Sequence, residues 1–174
     1  MNELNYSPSL VTAIKSAKSL AIQDGQSTYG AAHLAVAVLF APTGLVEVLN
    51  SLSKDIEYIK EWFEVRREVY TSNPTNDNII IADEEVEKIF NEANFNKIRL
   101  GSDYIDAFSV FIAITKPGLV YSDQQIDGLN LSEKELLKHF GLRNNQKTVT
   151  LLNDLSDGDE VKEIIEVPFC ESIY

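Results

Sequence analysis

The chain has little cysteine, methionine or tryptophan, one of each among 174 residues, and its 15 Lys and Arg are outnumbered by 27 Asp and Glu. Each shortage excludes something. Cys170 has no second thiol with which to form an intrachain disulfide, which suits a reducing compartment, and no basic neighbour in sequence that would activate a thiolate. A net charge of −12 opposes binding to nucleic-acid phosphates and to an anionic membrane surface, so neither partner is expected. No run reaches the roughly 18 apolar residues of a membrane span. The opening Met1-Asn2-Glu3-Leu4-Asn5 has neither the basic nor the apolar part of a targeting signal, and the expected location is the cytoplasm.

Motifs for chemistry are scarce too. Neither Gly-x4-Gly-Lys-Ser/Thr nor Gly-x-Gly-x2-Gly occurs, so nothing cradles a nucleotide phosphate. His33 and His139 lack any Cys or second His at ligand spacing, so no metal site is expected. His33 reads as a helix-packing residue whose ring meets a backbone group, and His139 as a surface residue. Asp123-Gln124-Gln125-Ile126-Asp127-Gly128 faintly resembles a calcium loop, but its twelfth position is Lys134 where a bidentate Glu is required. That segment reads as a turn. With no nucleophile, base and orienting group in one motif, neither an enzyme nor a cofactor is expected.

What the chain does have is an internal repeat. Leu10, Ile14, Ala17, Gly25, Tyr29, Ala31, Leu34, Ala37 and Val38 align without a gap on Val86, Phe90, Ala93, Gly101, Ile105, Ala107, Val110, Ala113 and Ile114, since 93 − 17 and 114 − 38 both equal 76. After one inserted residue, Leu52, Ile59 and Phe63 fall on Leu129, Leu136 and Phe140, where 140 − 63 equals 77. The organisation expected is repeat one over 7–70, a linker over 71–82 rich in turn formers, repeat two over 83–140, and a tail over 141–174.

The fold class is all-α, with two four-helix units related by a pseudo-twofold. Leu10, Ala13, Ile14, Ala17, Leu20 and Ala21 share one helical face. Ser7-Pro8 starts that helix and Gly25 ends it. Helices follow over 31–40 and 45–52, and over 55–70 with Ile56, Ile59, Phe63 and Val69 inward and Trp62 half buried against the linker. In the second unit Asp83-Glu84-Glu85 starts the first helix. Ser132-Glu133-Lys134-Glu135 forms a capping box at the last. No strand is needed before residue 141. The tail pieces Val149-Thr150-Leu151-Leu152 and Ile164-Ile165-Glu166-Val167 could be short strands or extended linker, and Asp157-Gly158-Asp159-Glu160 a solvated turn.

The doubled pattern, with Tyr29-Gly30-Ala31-Ala32-His33-Leu34 opening the second helix of the first unit and Tyr104 to Ile114 the second helix of the other, resembles the amino-terminal domain of the Clp family of AAA+ unfoldases. The resemblance implies a protein-binding module that takes a substrate or adaptor segment, such as an amphipathic helix, and hands it to an ATPase. The full-length protein would then be a ring-forming ATPase, and this stretch a monomeric piece lacking its motor. The main alternative is a regulatory or structural domain that docks an adaptor or assists assembly without touching substrate. Family members carry a Gly-Thr-Glu-His-Leu-like stretch in each unit, and some use the two Glu to recognise phosphorylated arginine. Here Ala32 and Phe108 stand at those places, so that activity is expected to be absent. A strongly diverged pair of repeats fits the type VI secretion branch, whose amino-terminal domain takes a helix of the sheath protein into an apolar groove, or another specialised branch, better than the partners of the general proteases.

In the family the peptide groove lies near the start of the first helix and the first two helices of the second unit, which corresponds here to Leu10, Ile14, Val86, Phe90 and Phe108. The helical spacing of the first four also suits a plain core role. Phe95 for Ser19 and Phe108 for Ala32 are aromatics at outward places, either anchors for a partner or a wider core in the second unit.

Overall fold

The computed structural model describes residues 4–70 and 79–140. Its helices are α1 (Pro8–Gln23), α2 (Ala31–Phe40), α3 (Leu45–Ser51), α4 (Ile56–Glu68), α5 (Glu84–Arg99), α6 (Ala107–Ile114) and α7 (Asp123–Leu129). An eighth, α8, covers residues 133–140. The expected double four-helix architecture is therefore present.

Helix ends follow local chemistry, and they follow it twice. Ser7 Oγ accepts from Leu10 N–H at 3.2 Å at the start of α1, and Asp83 Oδ1 accepts from Val86 N–H at 2.9 Å at the start of α5. Beyond the far ends, Gly25 and Gly101 take left-handed φ of 69° and 66°, which lets the chain turn back at the same place in each unit. Ser53 and Asn130, 77 apart, share φ of 58° and 60°.

Packing is built around α2 and α6. Every residue of α2 except Phe40 is buried, and every residue of α6 except Phe108. α1 lies on α2 and α5 on α6, with Ala17 and Ala93 both at 0 % exposure where the helices meet. α2 and α6 also touch each other, which makes one continuous core from two units. Among the described residues no single helix is long and apolar enough to cross a membrane; α2 and α3 together match in composition but are bent by 84°.

Several expectations need correction. Short strands do occur before residue 141: β1 (Thr28–Tyr29) pairs in parallel with β2 (Ile81–Ala82), and Tyr6 bridges Ile105. These are the same contact twice, because 105 − 29 and 82 − 6 both equal 76. Each unit's leading segment crosses to the loop of the other unit, and Asp83 N–H to Tyr29 O at 3.1 Å is mirrored by Ser7 N–H to Ile105 O at 2.9 Å. The backbone groups there need partners and find them across the twofold. Residues 123–129 are helix α7, capped by Ser122, rather than a turn. Val69 lies past the end of α4 and is 77 % exposed, not inward. Trp62 is buried edge-on against Phe63 and Tyr121, with the Arg66 guanidinium 3.1 Å from its ring centre, and so packs on the second unit as well as its own helix. Ser132 Oγ caps α8, but the Glu135 carboxylate turns to Lys54 at 2.9 Å instead of completing a box. The tail expectations lie outside the described residues.

Candidate functional site

The start of α2 gathers polar side chains in an apolar interior. Gly30 is the N-cap and has no side chain to offer the first turn, while His33 makes the reciprocal bond: Nδ1 accepts from Gly30 N–H at 3.0 Å. The other ring nitrogen meets Asp24 Oδ2 at 2.9 Å, and Arg67 Nε reaches the same oxygen at 2.8 Å. The backbone contact expected of His33 is therefore made. Tyr70 stacks on the imidazole with ring centres 5.1 Å apart, and its hydroxyl accepts from Ala32 N–H at 3.2 Å. A Cβ on Gly30 would lie 2.6 Å from Tyr70 Oη and 2.9 Å from Asp83 Oδ2, so glycine is required by space.

Burial governs the ionisation here. It lowers the His33 pKa, against the opposing pull of Asp24. It raises the Asp83 carboxyl, against two backbone N–H groups that favour the anion, and pushes Tyr29 and Tyr70 up to about 12. Burial shifts each of these groups toward its neutral form without fixing which form it holds, and the cluster knits α1, α2, α4 and α5 together.

At the start of α6 the pattern repeats with different residues. Asp106 is the N-cap, and Ser109 Oγ accepts from Asp106 N–H at 3.0 Å. Phe108 is half-buried at the mouth of that helix, its ring 4.9 Å from that of Phe140. A Cβ on Gly44 would touch its Cζ at 3.6 Å. The corresponding Ala32 is fully buried. Neither place offers a carboxylate.

The five residues expected at the groove separate into two groups. Leu10 and Val86 are at 0 % exposure and Phe90 is at 7 %, its ring tilted against that of Tyr6 with centres 5.4 Å apart. Ile14 and Phe108 are both partly buried, packed against the core with part of each side chain at the surface. Phe108 contacts Phe140 of α8, a residue that the repeat aligns with the inward Phe63. Phe95, the other aromatic replacement, is 58 % exposed. Phe40, 60 % exposed at the end of α2, was not singled out from sequence; its signal was the charged Lys116 at the matching place in the second unit. Among the described residues no three His, Cys, Asp or Glu side chains come together to hold a metal ion.

A doubled helical unit, with a capped and closely packed pair of helices leading each half, defines a helical-repeat domain. The family model for the Clp repeat (R) N-terminal domain matches residues 5–120, and the chain belongs to that family. Solved structures agree in fold. A protein from structural work on a malarial secretion system superposes with a TM-score of 0.69 at 17 % identity, over 84 % of this chain and 98 % of that one. The N-terminal domain of ClpV1 from the E. coli EAEC Sci1 type VI secretion system gives 0.64 at 16 %, over 77 % and 82 %. The Hsp104 N-terminal domain from Candida albicans gives 0.61 at 15 %, over 78 % and 89 %. No curated protein matches the sequence. The domain is thus of the kind that binds substrates or adaptors in Clp-type AAA+ chaperones.

Proposed function

We propose that this domain takes an apolar, amphipathic helix of a protein substrate or adaptor into a groove at Leu10, Ile14, Val86, Phe90 and Phe108, and passes it to an attached AAA+ motor working as a cytoplasmic ring. Phe108 carries the reading. It places an aromatic, partly buried and backed by Phe140, where related domains place a carboxylate. That substitution removes an attraction for cations and adds apolar surface, which favours helix-in-groove recognition. Ile14 supplies a second surface contact, while Leu10, Val86 and Phe90 support the floor from beneath. A sheath-protein helix of type VI secretion is one segment of this chemistry.

The test is binding of a labelled Leu-rich amphipathic helical peptide with a neutral polar face, measured by fluorescence anisotropy on the 174-residue chain. Phe108→Glu should keep the helical circular dichroism and weaken binding at least about tenfold, about 1.4 kcal/mol. A folded variant that binds equally well places the groove elsewhere. A variant that unfolds makes Phe108 a core residue and ends the anchor role.

A further inference from the structure

The first two helices pack alike in both units, yet the outer side of the pair does not. In the first unit α1, α2 and α4 leave a cleft of about 450 Å³, floored by Leu20, Val36, Ala37 and Phe40, with Lys15 and Glu64 at the rim. Phe40 is 60 % exposed, although it ends a helix whose other residues are all buried. Ser16 and Ser19 also line the cleft. At the offset of 76 the second unit has Glu92 for Ser16, Phe95 for Ser19 and Lys116 for Phe40. There Lys116 Nζ holds Glu92 Oε1 at 2.8 Å, tying α5 to the end of α6 across the counterpart of the cleft. The fold therefore ties this face together in one unit with an ammonium and a carboxylate, and in the other places Ser16 and Phe40 at those two positions, with no such pair across the cleft among the described residues.

Charge indicates what would cover the open face. On a chain of net charge −12, α1 contributes Lys15 and Lys18 and no carboxylate, and α2 carries no Asp, Glu, Lys or Arg. Neither Lys15 nor Lys18 is in an ion pair among the described residues. Lys60 Nζ lies 5.0 Å from the centre of the Phe40 ring, and the one rim carboxylate, Glu64, is already engaged by Arg67 at 3.0 Å. The cleft is an apolar floor beside unpaired ammonium groups. It runs from residue 12 to residue 23 of α1, about 17 Å or three helical turns.

We propose that this cleft is a second docking surface, distinct from the Phe108 groove, and that its occupant is a helix of another protein, apolar along one face and bordered by carboxylates. The apolar face covers Phe40 and Leu20, and the carboxylates meet Lys15 and Lys60, supplying from outside what Glu92 supplies within the second unit. Its recognition is weakened by salt, because the ammonium groups are near the surface.

Two designed 14-residue helical peptides test this by fluorescence anisotropy on the 174-residue chain, one with Leu at i, i+3, i+4 and i+7 flanked by Glu, the other with Lys in place of each Glu. The Glu-flanked peptide should bind at least about tenfold tighter at low salt, with the gap narrowing as salt rises. The double variant Ser16→Glu/Phe40→Lys, which copies the second unit's ion pair, should reduce that binding at least about tenfold with an unchanged melting curve. Should the double variant fail to fold, Lys15→Glu serves instead and should shift preference toward the Lys-flanked peptide. Phe108→Glu should leave this binding as it is, which separates the two surfaces. Equal binding of the two peptides, or full binding by the double variant, overturns the proposal. Displacement by a synthetic peptide of residues 157–169 would give the cleft to the chain's own acidic segment. Self-association abolished by Phe40→Glu would give it to a second copy. Either result overturns the external partner.

Discussion

His33 and Ser109 stand 76 residues apart and make the same bond: each accepts, through Nδ1 or Oγ, the N–H of the residue three positions before it at 3.0 Å. The two helix starts share a backbone need and meet it with unlike side chains. Only His33 couples that need to a charge, through Asp24 and Arg67.

That difference gives the domain a pH dependence located in one half. The unfolded His33 ring titrates near 6.5. Burial holds the folded ring below that value, in a site where Asp24 and Asp83 favour the proton and Arg67 opposes it. Between the two values the unfolded chain binds the extra proton, so stability is full above about pH 6.5 and falls as pH drops through it. Urea unfolding at pH 7.5 and 5.5 should show this loss, and His33→Ser, which keeps an oxygen for the Gly30 N–H, should shrink the difference. Equal pH slopes in the two proteins would remove His33 as its source.

Gly30→Ala puts a methyl group 2.6 Å from Tyr70 Oη. Tyr70 cannot simply swing away, because its ring stacks on His33 and its hydroxyl accepts from Ala32 N–H. The variant should lose about 1 to 3 kcal/mol, the usual cost of overpacking. Adding Tyr70→Phe should recover part of that loss. A melting temperature unchanged by Gly30→Ala would mean that the Tyr70 ring yields freely.

Ala17→Leu or Ala93→Leu forces a larger side chain between helices that meet at fully buried alanines. Each should cost about 1 to 3 kcal/mol in denaturant unfolding. Since the sites lie in different units, their effects should add in the double variant if the units do not share the strain. Tolerance of either substitution would contradict the close approach of α1 to α2 or of α5 to α6.

Phe108→Glu completes the set. Anisotropy with the neutral helical peptide should report at least about a tenfold loss, and circular dichroism should show no loss of helix.

The sequence by itself determined the repeat, the all-helical class and the boundaries of the best-defined helices, because these depend on local matters. Small and apolar residues at three- and four-residue steps set the faces of α1 and α5, with Leu10, Ala13 and Ala17 on the one and Val86, Phe90 and Ala93 on the other, Ser7 and Asp83 set their starts, and the 76-residue offset carries one unit onto the other. It misread what depends on distant partners. A two-residue strand has no periodicity to detect, and β1 forms because Tyr29 and Asp83 satisfy each other's backbone across the twofold. Trp62 and Val69 sit on or just past the same helix, and only packing decides that one is buried on Tyr121 and the other bare. The candidate site divides the same way. The loss of both family carboxylates was legible residue by residue at Ala32 and Phe108, but the burial of Leu10, Val86 and Phe90, the pairing of Phe108 with Phe140, and the open cleft beside Phe40 were decided only by the tertiary structure, since exposure is set by which helices pack over a side chain rather than by its place along its own.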